Sequence, residues 1–171
     1  MHYVKDLRDW QHISLYSPSL ANATPEAIAH LKGLDPRVVI AHTHDTALAD
    51  ADVILLCTSS AGPVIDPARL SKPALITSIS TNAPRAHEVP PQSLNAMQLF
   101  CDYRQTTPGA AGEMLIAAEQ HGWDKRDIIG DLPELLSEHV QRPTYDRSVF
   151  FRSIGLGLED IALANALWRQ L

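Results

Sequence analysis

The stretch that decides the fold is Ala51-Asp52-Val53-Ile54-Leu55-Leu56-Cys57-Thr58-Ser59-Ser60. Its apolar run, Val53 to Cys57, is too short for a helix and ends in hydroxyl residues. An unbroken apolar strand of this length is expected in a parallel sheet covered on both faces. Ile13–Tyr16, Arg37–Ala41, Ala74–Ile79 and Met97–Cys101 read as further short strands. Helical patterns lie among them. Thr24 caps a helix with Pro25 at its first position and Gly33 as its stop. Asp45–Asp52 reads as a short helix and Asp66–Leu70 as a helical turn. Ala110–Gln120 reads as a helix with Leu115 and Ala118 inward, and Leu132–His139 as another. In Ser153–Leu171 the residues Ile154, Leu158, Ile161, Asn165 and Trp168 share one face. Pro84, Pro90 and Pro91 exclude a single regular helix between the fourth and fifth strands. Strands alternating with helices across short loops predict an α/β fold, a Rossmann-like parallel sheet flanked by helices.

Bulk properties agree. The chain has 171 residues, 45% hydrophobic and 20% charged, values that exclude a disordered or low-complexity protein. Its net charge is −6, with no basic stripe, so nucleic acid is not an expected partner. Apolar runs are too short for a membrane span, and MHYVKDLRDWQH has no signal-peptide pattern. Cys57 and Cys101 read as small buried hydrophobes in a reducing compartment, a disulfide being the alternative. The expected setting is cytoplasmic.

Ligands of parallel sheets bind beyond the carboxyl ends of the strands. Three such ends carry small polar residues: Thr58-Ser59-Ser60-Ala61-Gly62, Ser78-Ile79-Ser80-Thr81-Asn82 and Asp102-Tyr103-Arg104. Hydroxyls and backbone donors suit a sugar-phosphate ligand, although strand-to-helix turns carry the same residues for capping. No G-x-G-x-x-G occurs anywhere, so the usual first strand and phosphate loop of a dinucleotide fold are missing. The turn Tyr16-Ser17-Pro18-Ser19 has no acid to hold a ribose 2′-hydroxyl. Ser17 or Ser19 would tolerate a 2′-phosphate there, and a plain turn is the competing reading. His42, His44 and Asp45 lack zinc spacing and read as a polar surface loop, with no metal site expected. His87, Glu88 and His139 have no visible partner in the sequence. Glu159-Asp160 reads as a solvated face rather than an acid–base pair. No G-x-S-x-G elbow supports a serine hydrolase.

Several blocks, in order, resemble the ornithine cyclodeaminase/mu-crystallin family. Ala51–Ser60 is similar to the family's ADVV-x-x-T strand and loop. Ile76–Pro84 is similar to its INAVG-x-D-x-P turn, with Glu88 at the family's spacing. Phe100-Cys101-Asp102 resembles VVVD, Ile129–Leu136 resembles IGELGEVL, and Phe151–Asp160 resembles FKSVGLALQD. The resemblance covers nearly the whole chain. It implies a C-terminal half, with residues 2–11 as the tail of the helix that follows the phosphate loop. Residues 1–152 would then be an incomplete dinucleotide-binding domain. Residues 153–171 would be a helix packed on a substrate and dimerisation region outside this chain, leaving an apolar patch exposed. The full-length parent is expected to be a homodimer, and the chain alone a weak cofactor binder.

The resemblance also implies chemistry. NADPH or NADH would lie across the carboxyl edge, with Ser17, Pro18, Thr58, Ser59, Ser60, Ser78, Ile79, Ser80, Arg152 and Ser153 as cofactor contacts. Cyclodeaminases carry an aspartate where this chain has Asn82, and an amide is no general acid or base near neutral pH. Asn82 is thus the candidate catalytic residue of a reductase, holding substrate or nicotinamide by hydrogen bonds. Asp102–Gly109 and Gly112-Glu113-Met114 are most similar to Δ1-pyrroline-2-carboxylate/Δ1-piperideine-2-carboxylate (ketimine) reductases. These deliver hydride to a small cyclic imino acid, forming L-proline or L-pipecolate. A cyclodeaminase-type ammonia lyase, a mu-crystallin-like NADPH or ligand binder, and an inactive fragment are the alternatives.

Overall fold

Parallel strands dominate the structure, a computed structural model that describes residues 7–79 and 83–170. The chain divides at Ala51/Asp52 into two units. The first holds β1 (Ile13–Leu15), α1 (Pro25–Gly33), β2 (Val38–Ile40) and α2 (His44–Leu48). β1 and β2 pair in parallel. The Thr24 hydroxyl accepts the Ala27 N–H, as its position before Pro25 predicts. Thr43 and Thr46 close a capping box at the start of α2. Of the expected helix tail, residues 7–11 are irregular rather than helical, and residues 2–6 lie outside the described residues.

The second unit contains β3 (Val53–Leu56), β4 (Leu75–Ser78), β5 (Gln98–Cys101), α3 (Gly112–Gln120), β6 (Ile128–Asp131), α4 (Leu132–Leu136), β7 (Val149–Arg152) and α5 (Gly157–Trp168). The strands form one parallel sheet in the order β3-β4-β7-β5-β6. This is the expected parallel sheet flanked by helices. Two strands, β6 and β7, are not legible in the sequence. β7 is central: Phe150 faces Ile76 on one side and Leu99 on the other. Consecutive strands are usually neighbours, yet here β4 and β5 are separated by the strand latest in sequence.

Burial corrects the reading of the deciding stretch. β5, buried at every position, is the strand covered on both faces. β3 is a sheet edge. Its Ile54 and Leu56 are buried, while Leu55 is half exposed. Cys57 continues the open face by two-residue alternation and is exposed rather than buried. Cys101 is buried as expected, and both thiols are free. Burial, with Asp102 and Asp131 nearby, pushes the Cys101 thiol up to about 12, so it stays protonated and inert.

The inner face of α3 is also rotated from expectation. Glu113, Met114 and Ala117 are buried, whereas Leu115 is intermediate and Ala118 exposed. The phase slips because an acidic residue occupies an inward position. Gly112 sets that placement, since a Cβ there would lie 2.3 Å from the Ala86 carbonyl oxygen and 2.4 Å from the Arg85 carbonyl carbon. Gly112→Ala gains about 1 kcal/mol of helix propensity but meets backbone, an overpacking cost of about 1–3 kcal/mol. A net loss is expected in chemical denaturation, and a stabilised variant would show that residues 85–86 yield.

α5 begins at Gly157, not Ser153, and its apolar side chains stay in solvent. Leu158, Ile161 and Trp168 are exposed, as is Asp160, while the Glu159 side chain lies outside the described residues. Among the described residues, no helix is long and apolar enough to cross a membrane.

Candidate functional site

The carboxyl ends of β3, β4, β7 and β5 converge on a buried polar layer. Ser78, Glu88, Asp102, Glu113 and Arg152 are all at most 1% exposed. Such groups need partners inside the protein. Arg152 ends the central strand, between Ser78 of β4 and Cys101 of β5. Its Nη1 donates to the Ser78 carbonyl at 3.3 Å, to Ser78 Oγ at 3.1 Å and to the Ser153 carbonyl at 3.1 Å. Its Nε lies 2.7 Å from Glu113 Oε1, although neither Glu113 oxygen accepts a well-aligned hydrogen bond among the described residues.

Two carboxylates organise the loops above this layer. Glu88 accepts the Thr58 N–H at 2.8 Å and the Ser78 hydroxyl at 2.7 Å. Asp102 accepts the Ile154 N–H at 2.8 Å, the Gly155 N–H at 3.0 Å and the Ser153 hydroxyl at 3.0 Å through one oxygen. Its other oxygen accepts the Tyr103 N–H at 2.8 Å and the Thr107 hydroxyl. Arg104 reaches Glu134 at 2.7 Å, and its N–H donates to Asp131, which caps α4.

Of the residues singled out in sequence, Thr58 and Ser59 are exposed and Ser60 partly buried on the loop after β3. Ile79 is exposed at the end of β4. Ser78 is buried beneath it, held by Glu88 and Arg152. Arg152 lies in the buried layer under the loops rather than at their surface, because it ends a central strand. Ser153 follows it and docks on Asp102. Neither stands at the N-terminus of α5, which begins at Gly157. Ser80 and Asn82 lie outside the described residues. Ser17 and Pro18 belong to the first unit, where they line a cavity of about 280 Å³ with Tyr16, Lys32, Ile40 and His42. Among the described residues, no acidic side chain lines it. Ser17 Oγ lies 2.8 Å from Ser19 Oγ, and the Tyr16 and His44 rings meet at 5.3 Å. The sequence marks Asp102 only as a strand-end residue, and Glu88 and Glu113 only within family-like blocks. Their bracing roles are not legible there, because Thr58, Ser153, Ile154, Gly155 and Arg152 are remote from them in sequence.

Burial pushes the Glu113 carboxyl up, outweighing the opposing pull of Arg152. A raised native value gives stability that is complete below the unfolded-state value and lost as pH rises through the native one. The stability of the chain minus that of Glu113→Gln is therefore expected to fall with rising pH, upward from the ordinary carboxylate range. A flat difference in urea titrations across pH would contradict this.

The family model described as "Ornithine cyclodeaminase/mu-crystallin family" matches residues 1–171. The chain belongs to this family. It is 63% identical over 169 residues to the NAD(P)H-dependent anabolic L-arginine dehydrogenase DauB of Pseudomonas aeruginosa, covering 99% of this chain and 53% of that protein. It is 24% identical over 168 residues to Delta(1)-pyrroline-2-carboxylate reductase of Colwellia psychrerythraea, covering 96% of this chain and 53% of that one. The chain thus spans about half the length of the curated relatives it matches. Among solved structures it is similar in fold to the iminosuccinate reductase of Paracoccus denitrificans in complex with NAD+. The TM-score is 0.77 at 21% identity, covering 94% of this chain and 49% of that one. By name, these three relatives are reductases or dehydrogenases of imino or amino acids.

Proposed function

We propose that the protein containing this chain is an NAD(P)H-dependent reductase of a 2-imino acid, converting the Cα=N bond to the α-amine. The observation that carries this reading is the 63% identity to an NAD(P)H-dependent L-arginine dehydrogenase across 99% of the chain. It favours an acyclic imine with a guanidinium-bearing side chain. The cyclic imino acids, Δ1-pyrroline-2-carboxylate and Δ1-piperideine-2-carboxylate, form the second reading, favoured by the 24% identical reductase.

The donor set suits a nicotinamide cofactor. Exposed Thr58 and Ser59 hydroxyls stand on one strand-end loop, and the exposed Ile79 side chain ends the next strand. Hydroxyls hold ribose and phosphate oxygens, and an apolar side chain covers a ring face. Thr58 and Ser59 would help hold such a cofactor, which when bound would supply a hydride for the imine carbon, the nitrogen taking a proton from solvent or an acid. Asn82 orients the substrate or the nicotinamide amide by hydrogen bonds and moves no proton. Ser153, tied to Asp102, and Ser78, tied to Glu88, keep the strand ends in place. In the first unit, the cavity beside Ser17 and Pro18 has Lys32 and, among the described residues, no carboxylate in its lining. That chemistry favours NADPH, whose 2′-phosphate an acid would repel. As for assembly, a homodimer of the whole protein is part of the same proposal.

The test follows nicotinamide absorbance of the whole protein with NADPH or NADH. The substrates are 5-guanidino-2-oxopentanoate with ammonia and, separately, the two cyclic imino acids. Oxidation with the guanidino oxo acid and ammonia supports the acyclic reading. Oxidation with the cyclic acids alone transfers support to the second. No oxidation with any substrate and either cofactor overturns both.

A further inference from the structure

Every hydrogen bond that leaves the loop Thr58–Val64 ends on Glu88, among the described residues. The Glu88 carboxylate accepts the Thr58 N–H at 2.8 Å, and the Glu88 carbonyl accepts the Val64 N–H at 2.8 Å. The remaining bonds of the loop are internal. Thr58 Oγ1 accepts the Ser60 N–H at 3.2 Å, Ser60 Oγ donates to the Gly62 carbonyl at 2.8 Å, and Ser60 Oγ accepts the Gly62 N–H at 3.3 Å. The second carboxylate oxygen of Glu88 takes the Ser78 hydroxyl at 2.7 Å, at the end of β4. Arg152 donates to that same hydroxyl oxygen, which directs its proton to Glu88. One side chain thus spaces two strand-end loops.

We infer that Glu88 is a positioning residue that sets the spacing of the Thr58–Val64 loop and the end of β4, and thereby the affinity for the nicotinamide cofactor. The inference rests on the cofactor reading given above. Burying a carboxylate completely is costly, and a neutral side chain would brace a loop with less desolvation. Here the charged group serves a loop with exposed hydroxyls at the sheet edge where ligands of parallel sheets bind. Two charge-assisted hydrogen bonds from one rigid planar group fix a distance better than two independent neutral contacts. Glu88 touches no reacting atom and acts through Thr58 and Ser78.

The test uses the whole protein and three variants. Glu88→Gln keeps the shape but turns one acceptor into a donor, and Glu88→Asp keeps the charge but reaches fewer donors. Gln98→Leu is a stability control at the amino end of β5, where Gln98 binds Thr144. The readouts are the dissociation constants of NADPH and NADH by nicotinamide fluorescence, amide exchange over residues 58–65, the thermal midpoint, and kcat at saturating cofactor. For Glu88→Gln the cofactor Kd is expected to rise about tenfold or more, with faster exchange of residues 58–65 and kcat within about threefold. Glu88→Asp is expected to fall between it and the wild type, and this decides the matter if Glu88→Gln does not fold. Gln98→Leu is expected to lower the midpoint and leave Kd unchanged. The inference is overturned if the Glu88 variants bind cofactor like the wild type, or if Gln98→Leu weakens binding equally. A wild-type protein that binds neither cofactor overturns the cofactor reading and this inference with it, and is recognised because the parent itself is silent.

Discussion

Asp102→Ala is expected to cost about 3–5 kcal/mol of folding free energy. The carboxylate is 1% exposed and is the acceptor for backbone N–H groups of Tyr103, Ile154 and Gly155 and for the hydroxyls of Thr107 and Ser153. Alanine leaves these donors without their shared acceptor, and each unpaired buried donor costs about 1–3 kcal/mol unless water replaces the carboxylate. Domains of this size are stable by about 5–15 kcal/mol, so the variant is expected to lose a large fraction of its stability. Asp102→Asn keeps the volume but aims an NH2 group at donors, and recovers only part of the loss. Urea unfolding midpoints measure both. A cost under about 1 kcal/mol for Asp102→Ala would mean that water takes over the carboxylate's place. The same substitution releases residues 153–155 from the end of β5. Proteolysis after Arg152 is then expected to quicken along with the loss of stability.

Arg152→Met is expected to cost about 3–5 kcal/mol near neutral pH. Methionine fills much of the volume, so the loss is electrostatic rather than a cavity effect. Glu113, fully buried, is left without its counter-charge, and Ser78 loses a donor. The sign of the pH dependence separates this cause from poor packing. Removing Arg152 raises the Glu113 carboxyl further. Its protonated form is the one tolerated by the fold, so the deficit of Arg152→Met is expected to shrink as pH falls towards the ordinary carboxylate range. A packing defect would be independent of pH. Adding Glu113→Gln to Arg152→Met is expected to restore a large part of the lost stability at neutral pH, because both buried charges are then gone. Additive losses in the double variant would sink the ion-pair account.

Much of the architecture is legible locally. The hydroxyl-before-proline pattern at Thr24-Pro25 and the run Asp66–Leu70 mark helical turns. The structure caps the first as expected, and the second is capped by the Asp66 side chain, which accepts the Ala68 N–H. The strands at Val53, Leu75 and Gln98 stand out as short apolar runs between turn residues. β7 does not. Val149-Phe150-Phe151-Arg152 leads into an apolar helix, and nothing in the run itself says that it inserts between two strands formed earlier. β6 is short and ends in Gly130-Asp131, which reads as a turn. The phase of α3 departs from expectation for a related reason. An amphipathic reading places acids outward, but Glu113 turns inward to meet Arg152.

The sequence by itself determined the alternation of parallel strands and helices, the capping of the helical turns and the small polar residues at the strand ends, since each depends on neighbours within a few positions. Which strand is central and which charges are buried together depends instead on long-range packing. Glu88 meets a backbone N–H 30 residues away, and Arg152 meets a strand end 74 residues away. A charge far from its partner in sequence looks like a solvated one. Its burial becomes tolerable only once the parallel crossovers bring the strand ends to one edge, where desolvation leaves each carboxylate and guanidinium no acceptable neighbour but another polar group.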